Sequence, residues 1–115
     1  MSAARNNSQT QGEGDELLRE IVSKIVDNFD PRRIILFGSR ARGNYLPDSD
    51  IDLFVELETN DGPIDRQLKI RSLFPHRRWG LDLVVCTPEE TRRQREMVSS
   101  LIPVIEEEGK VLYER

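Results

Sequence analysis

Arg33-Ile34-Ile35-Leu36-Phe37-Gly38-Ser39, followed after a ten-residue spacer by Asp50-Ile51-Asp52-Leu53-Phe54-Val55-Glu56-Leu57, is the stretch whose reading decides the fold. The first run is short and rich in β-branched residues, which predicts a buried strand that breaks at Gly38-Ser39. In the second, Ile51, Leu53, Val55 and Leu57 alternate onto one face, which predicts a second strand over 51–57. Asp50 and Asp52 are two residues apart on that strand. Their side chains therefore point the same way, about 6–7 Å apart along the chain.

Outward from this centre the periodicity changes. Leu17, Leu18, Ile21, Val22, Ile25, Val26 and Phe29 recur at three- and four-residue spacing, a helix that Pro31 ends. Residues 1–14 are small and polar and predict a disordered tail, leaving 15–115 as one domain. On the other side, Asn60-Asp61-Gly62-Pro63 is a turn that opens a helix carrying Ile64, Leu68, Ile70, Leu73 and Phe74. His76 to Gly80 reads as a loop and Leu81 to Cys86 as a third strand. Thr87 and Glu90 form a capping box. The helix they start is polar through Glu96 and then presents Met97, Val98, Leu101, Ile102 and Ile105, with Pro103 kinking or restarting it. Gly109 stops it before a short strand at Val111-Leu112-Tyr113. This order predicts an α+β fold, a single small mixed sheet flanked by helices.

The totals set limits. A chain of 115 residues suits one domain, and 37% hydrophobic with 33% charged residues allows one modest core under a charged surface. Seventeen basic against 21 acidic residues, a net charge of -4, argue against general binding to nucleic acid but leave nucleotide binding open. Cys86 is the sole cysteine, so an internal disulfide is impossible and a reducing compartment fits. The longest aliphatic and aromatic run is Ile34 to Phe37, far short of the roughly 20 residues a membrane helix needs. A soluble cytoplasmic protein with no membrane contact is expected.

Three features carry chemistry. Glycine at 38 lets the backbone turn sharply after a buried strand, and Ser39 adds a hydroxyl, a pairing suited to phosphate oxygens. Asp50 and Asp52 repel each other unless a cation lies between them, and hard carboxylate oxygens suit magnesium. Asp82 interrupts an apolar strand and would join them across the sheet, unless it merely faces water on an edge strand. Arg40 and Arg42 could pair with triphosphate oxygens or remain solvated loop residues. Two rivals fail on spacing. A calcium loop needs glycine where Leu53 stands and glutamate where Thr59 stands. A P-loop needs Lys-Ser/Thr where Asn44-Tyr45 stands. The basic runs His76-Arg77-Arg78 and Arg92-Arg93-Gln94-Arg95 read first as solvated faces, the second with a possible docking role. Trp79 reads as core or rim packing rather than a platform for a base.

Gly38-Ser39, ten residues, then Asp50-Ile51-Asp52 resembles the signature of the polymerase-beta-like nucleotidyltransferases. Leu36 to Gly43, Ser49 to Leu53, Asp82 and the ending Glu108-Gly109-Lys110-Val111-Leu112-Tyr113 resemble its minimal nucleotidyltransferase branch in particular. The resemblance implies that Asp50 and Asp52 hold two magnesium ions that grip ATP. Asp82 would bind metal or activate the attacking hydroxyl, and Gly38 and Ser39 would contact the phosphates. It implies in-line displacement at the α-phosphorus with loss of pyrophosphate. It further implies a partner: a HEPN-type RNase toxin, neutralised by AMP on a tyrosine, with the chain as antitoxin. The larger members hold their acceptor in extra domains, so here another chain is expected to supply it. Transfer to a small-molecule hydroxyl, and a catalytically idle antitoxin that acts by contact, are the alternatives.

Overall fold

The computed structural model describes residues 9–46 and 48–115, with side chains from residue 16 onward. Among these, the strands are β1 (Arg33–Phe37), β2 (Ile51–Glu56), β3 (Leu81–Cys86) and β4 (Lys110–Glu114). The helices are α1 (Gln9–Phe29), α2 (Gly38–Arg42), α3 (Pro63–Arg71), α4 (Pro88–Arg95) and α5 (Ile102–Glu108). The strands form one sheet in the order β3-β2-β1-β4. β1 runs antiparallel to both β2 and β4, while β2 and β3 are parallel. The sheet is mixed, as the sequence predicts.

β2 is central and covered on both faces, which explains why its run is apolar except at Asp52 and Glu56. Ile51, Leu53 and Val55 join Ile34 and Leu36 in a core against Ile21 and Ile25 of α1 and Ile70 and Phe74 from the α3 side. The opposite face of the same strands buries Ile35, Phe54 and Cys86 against Ile102 and Ile105 of α5. Gly109 sits where the chain leaves α5 against β1. A side chain there would collide with the Ile105 carbonyl and the Ile35 side chain.

Several expectations change in the structure. α1 begins at Gln9, inside the stretch read as a tail, and residues 1–8 lie outside the described residues. Ile64 and Leu68 are exposed, not core. At 100° per residue they sit about 200° from Arg66 and Ile70, the pair that faces inward. Met97, Val98 and Leu101 are exposed too, because α4 ends at Arg95 and the chain restarts at Ile102 beside Pro103. With the helix broken, they share no face with Ile102 and Ile105. Trp79 packs on the core with its ring 5.6 Å from that of Phe74, the packing role expected of it.

Arg66 ties three elements together. Its guanidinium is buried and donates to both oxygens of Glu90 at 2.7 and 2.9 Å and to the Val85 carbonyl at 3.0 Å. Glu90 also closes the capping box: it accepts from the Thr87 N–H at 3.1 Å, while Thr87 Oγ1 accepts from the Glu90 N–H at 3.2 Å. The Arg66 cation holds the Glu90 carboxyl below its ordinary range. Loss of one cap costs about 1 kcal/mol, whereas stranding a buried cation costs about 3–5 kcal/mol. Urea unfolding should therefore show Thr87→Ala as mild and Glu90→Ala as several times worse. Equal penalties would mean that Glu90 acts only as a cap.

Candidate active site

The topology gathers one end of three strands. β1 ends where β2 and β3 begin, so Gly38, Asp50–Asp52 and Gly80–Asp82 meet at one edge. In the parallel register Asp52 lies directly opposite Asp82. Both side chains stand on the face that α5 covers farther along, at the end it leaves open. β3 is an edge strand and Asp82 is exposed, while Asp52 is half-buried.

Gly38 has φ +76°, a conformation that side chains disfavour. Its missing Cβ is also where the Asp52 carboxylate sits, so any side chain there would strike it. Gly80 does the same for Asp50, whose carboxylate lies over its α-carbon. In the sequence Gly38 stands out, whereas Gly80 reads only as part of a loop. Its signal was position: a glycine just before the strand that carries Asp82.

The acids act on one another. Burial first, then a hydrogen bond to Asp82 and the charges of Asp82 and Asp50, push Asp52 up to about 6, with Arg42 opposing. A protonated Asp52 carboxyl donating to Asp82 relieves the repulsion of two carboxylates held in contact. The donor set is entirely carboxylate oxygen, which fits a hard divalent cation such as magnesium. Among the described residues no three acidic, histidine or cysteine side chains already close around a metal position. Asp50, turned over Gly80, is the carboxylate standing apart from the Asp52–Asp82 pair. The three-carboxylate cluster expected from sequence is thus a contacting pair with a third acid beside it.

The two arginines separate. Arg40 Nε and Nη2 donate to the Ser49 carbonyl at 3.1 and 2.9 Å, and its guanidinium lies 4.8 Å from the Tyr45 ring centre. Arg40 is a latch on the loop before Asp50. Ser49 completes that loop: its hydroxyl accepts from the Leu46 N–H at 2.9 Å, and its own N–H donates to the Leu46 carbonyl at 2.9 Å. Arg42 is exposed at the end of α2, and its charge reaches Asp52. Ser39 lies half-buried in α2, beside Gly38.

A small mixed sheet carrying a Gly-Ser turn and facing carboxylates is the frame of a nucleotidyltransferase. A family model described as "Nucleotidyltransferase domain" matches residues 16–112, and the chain belongs to that family. It is 40% identical over 55 residues to "Putative protein adenylyltransferase MJ1379" of Methanocaldococcus jannaschii, a match covering 48% of this chain and 55% of that protein. It is also 40% identical over 58 residues to "Putative protein adenylyltransferase MJ1215" of the same organism, covering 50% of this chain and 67% of that one. The chain thus spans about half the length of the first of these relatives and two thirds of the second. A crystal structure described as a putative nucleotidyltransferase from Sulfolobus solfataricus superposes with a TM-score of 0.61 at 26% identity, over 87% of this chain and 79% of that one. Among the described residues no helix is long and apolar enough to cross a membrane.

The raised Asp52 carboxyl has a consequence for stability. The folded protein holds this proton more tightly than the unfolded chain. Its favourable contribution is therefore present at low pH and lost as pH rises from about 4 through about 6. In metal-free buffer, Asp52→Asn should melt higher than wild type at pH 7.5, and the gap should close as pH falls toward 4. Magnesium should raise the wild-type melting temperature at pH 7.5 and leave the variant unchanged. A variant no more stable than wild type at pH 7.5 would show that the carboxylates do not repel.

Proposed function

We propose that the protein is a magnesium-dependent nucleotidyltransferase that moves AMP from ATP to a hydroxyl of a partner protein. The observation that carries this is the Asp52–Asp82 pair in contact on an open sheet edge, with Asp50 and the Gly38-Ser39 turn beside it. Asp50, Asp52 and Asp82 are the residues that would hold the cations. Bound magnesium would neutralise the triphosphate and the leaving pyrophosphate.

The chain's own residues supply the rest. The Gly38 turn keeps side-chain bulk away from the site, and the Ser39 hydroxyl would donate to a phosphate oxygen. Arg42 adds positive charge for the triphosphate. The acceptor oxygen attacks the α-phosphorus, the bond from that phosphorus to the oxygen bridging to the β-phosphorus breaks, and pyrophosphate leaves. The acceptor's proton passes to Asp82, exposed on the edge strand.

A protein acceptor is supported by the names of the two archaeal relatives and by the openness of the edge. Tyrosine suits a shallow site because its oxygen projects far from its own backbone. Its proton leaves in water only near pH 10, so an acceptor carboxylate has work to do. We place the partner as a HEPN-type toxin and the chain as its antitoxin. AMP on such a toxin would add bulk and negative charge where RNA phosphates must approach.

The test is to incubate the chain, magnesium, ATP and the candidate toxin, then weigh the intact toxin. A gain of one or more AMP units is expected, and none with EDTA or with Asp50→Asn/Asp52→Asn. Ser39→Ala should slow transfer about tenfold or more while leaving the melting temperature within a degree or two. Protection of cells by the double variant with no adduct at any time would mean neutralisation by contact, and the enzyme reading would fall.

A further inference from the structure

Resting on the reading of Asp82 as a carboxylate that holds a cation, we propose that Arg71, at the end of α3, is the residue that positions it. Asp82 is exposed and is the second residue of an edge strand. The residue before that strand, Gly80, has no side chain to anchor it, and the ends of edge strands are where a sheet opens first. Burial of the Leu81 side chain fixes where β3 begins. It does not fix the tilt of the peptide that follows, from which the Asp82 side chain projects.

That tilt is held from outside the sheet. In the parallel pairing the carbonyls of Gly80 and Cys86 face β2, accepting from the N–H groups of Ile51 at 2.9 Å and Leu57 at 3.0 Å. Alternation turns the carbonyls of Leu81, Leu83 and Val85 the other way. Each accepts from α3: from Arg71 Nη1 at 2.8 Å, Gln67 Nε2 at 3.1 Å and Arg66 Nη1 at 3.0 Å. The three bonds are not equivalent. Arg66 is committed to Glu90, and Gln67 offers only a neutral amide. Arg71 brings a charge-assisted bond, the shortest of the three, to the peptide shared by Leu81 and Asp82. The N–H of that same peptide belongs to Asp82 and faces β2. The unit is gripped from both ends.

The device occurs a second time in the site. Asp50 stands just before β2, and the carbonyl of the residue preceding it, Ser49, is held by Arg40. Asp52 lies within β2, with β1 on one side and β3 on the other. The two acids without a strand on both sides each follow a carbonyl held by a guanidinium. Carboxylates that bind metal are oriented in this way by hydrogen bonds one step removed from the ion.

Arg71→Met removes the donors and keeps the length, Arg71→Lys returns a charged donor, and Gln67→Ala deletes a bond two residues farther along the same strand. Arg71 and Gln67 are both half-buried, so the variants are matched. In the metal-free protein, hydrogen exchange at the Asp82 amide, referenced to the amides of β1, should speed about tenfold in Arg71→Met. Gln67→Ala should loosen the Val84 amide instead. The magnesium concentration that gives half the rise in melting temperature at pH 7.5 should increase about tenfold in Arg71→Met. It should return toward wild type in Arg71→Lys and stay there in Gln67→Ala. By charge alone, removing a cation would tighten magnesium, so weaker binding reports lost geometry. A wild type whose melting ignores magnesium would overturn the cation-holding reading of the acids, and this proposal with it. A wild type that responds, with an equal midpoint in Arg71→Met or an equal increase in Gln67→Ala, would overturn the proposal alone. So would an Asp82 amide that exchanges no faster without Arg71.

Discussion

An acid on the second residue of a central strand is costly unless something beside it is missing. Asp52 occupies such a place, and the missing group is the side chain at Gly38. The antiparallel pairing of β1 and β2 brings the end of one strand against the start of the next, with Phe37 opposite Asp52. The residue after Phe37 must therefore turn away sharply and carry no Cβ. Glycine in the left-handed region meets both demands at once, and no other residue does. Gly80 repeats the arrangement for Asp50 on the β3 side. Acid over glycine, twice, is how a modest domain keeps carboxylates close without burying them.

The face that carries these acids is divided along its length. Next to Asp52 on β2 comes Phe54, sealed by Ile102 and Ile105, and beyond it Glu56. At that far end Arg33 donates to Glu56 and to Glu106, each at 2.6 Å, and Arg95 donates to Glu106 at 2.8 and 2.6 Å. Arg95 first, with Arg33, draws Glu106 down to about 2. Acid is met by guanidinium at the closed end, whereas at the open end acid meets acid. One strand therefore carries a stabilising carboxylate and a repulsive one four residues apart. The repulsive one is kept where a cation can reach it, which is the signature of a site rather than of a core.

Most of this frame was legible in the sequence because it rests on short-range rules. Strand periods, the Thr87–Glu90 box and the Gly-Ser to Asp-x-Asp spacing each involve residues that constrain their own neighbourhood. What was not legible depends on partners distant in sequence. Arg66 is buried only because Glu90, 24 residues on, and the Val85 carbonyl await it. Without that knowledge, Ile64 and Leu68 look like the inner face of α3. The exposed Met97, Val98 and Leu101 look like core until the helix is seen to stop. Asp82 could be read as either catalytic or merely wet, and only the parallel register with β2 set it against Asp52.

The ten-residue spacer shows why the motif has the length it has. The chain leaves β1 at Gly38 and must re-enter antiparallel at Ile51, one strand away, with its acids at the same edge. A tight hairpin would do this in two residues but would leave no room beside Asp52. The chain instead spends five residues on α2, reverses at Gly43 with φ +83°, and turns back where the Ser49 N–H donates to the Leu46 carbonyl. Arg40 then pulls that turn in through the Ser49 carbonyl, fixing the residue that immediately precedes Asp50. Arg40 is thus a positioning residue. It shapes the approach to the acids, and the charge of Arg42 reaches Asp52. The two arginines look interchangeable in the sequence, and the geometry of one carbonyl separates them.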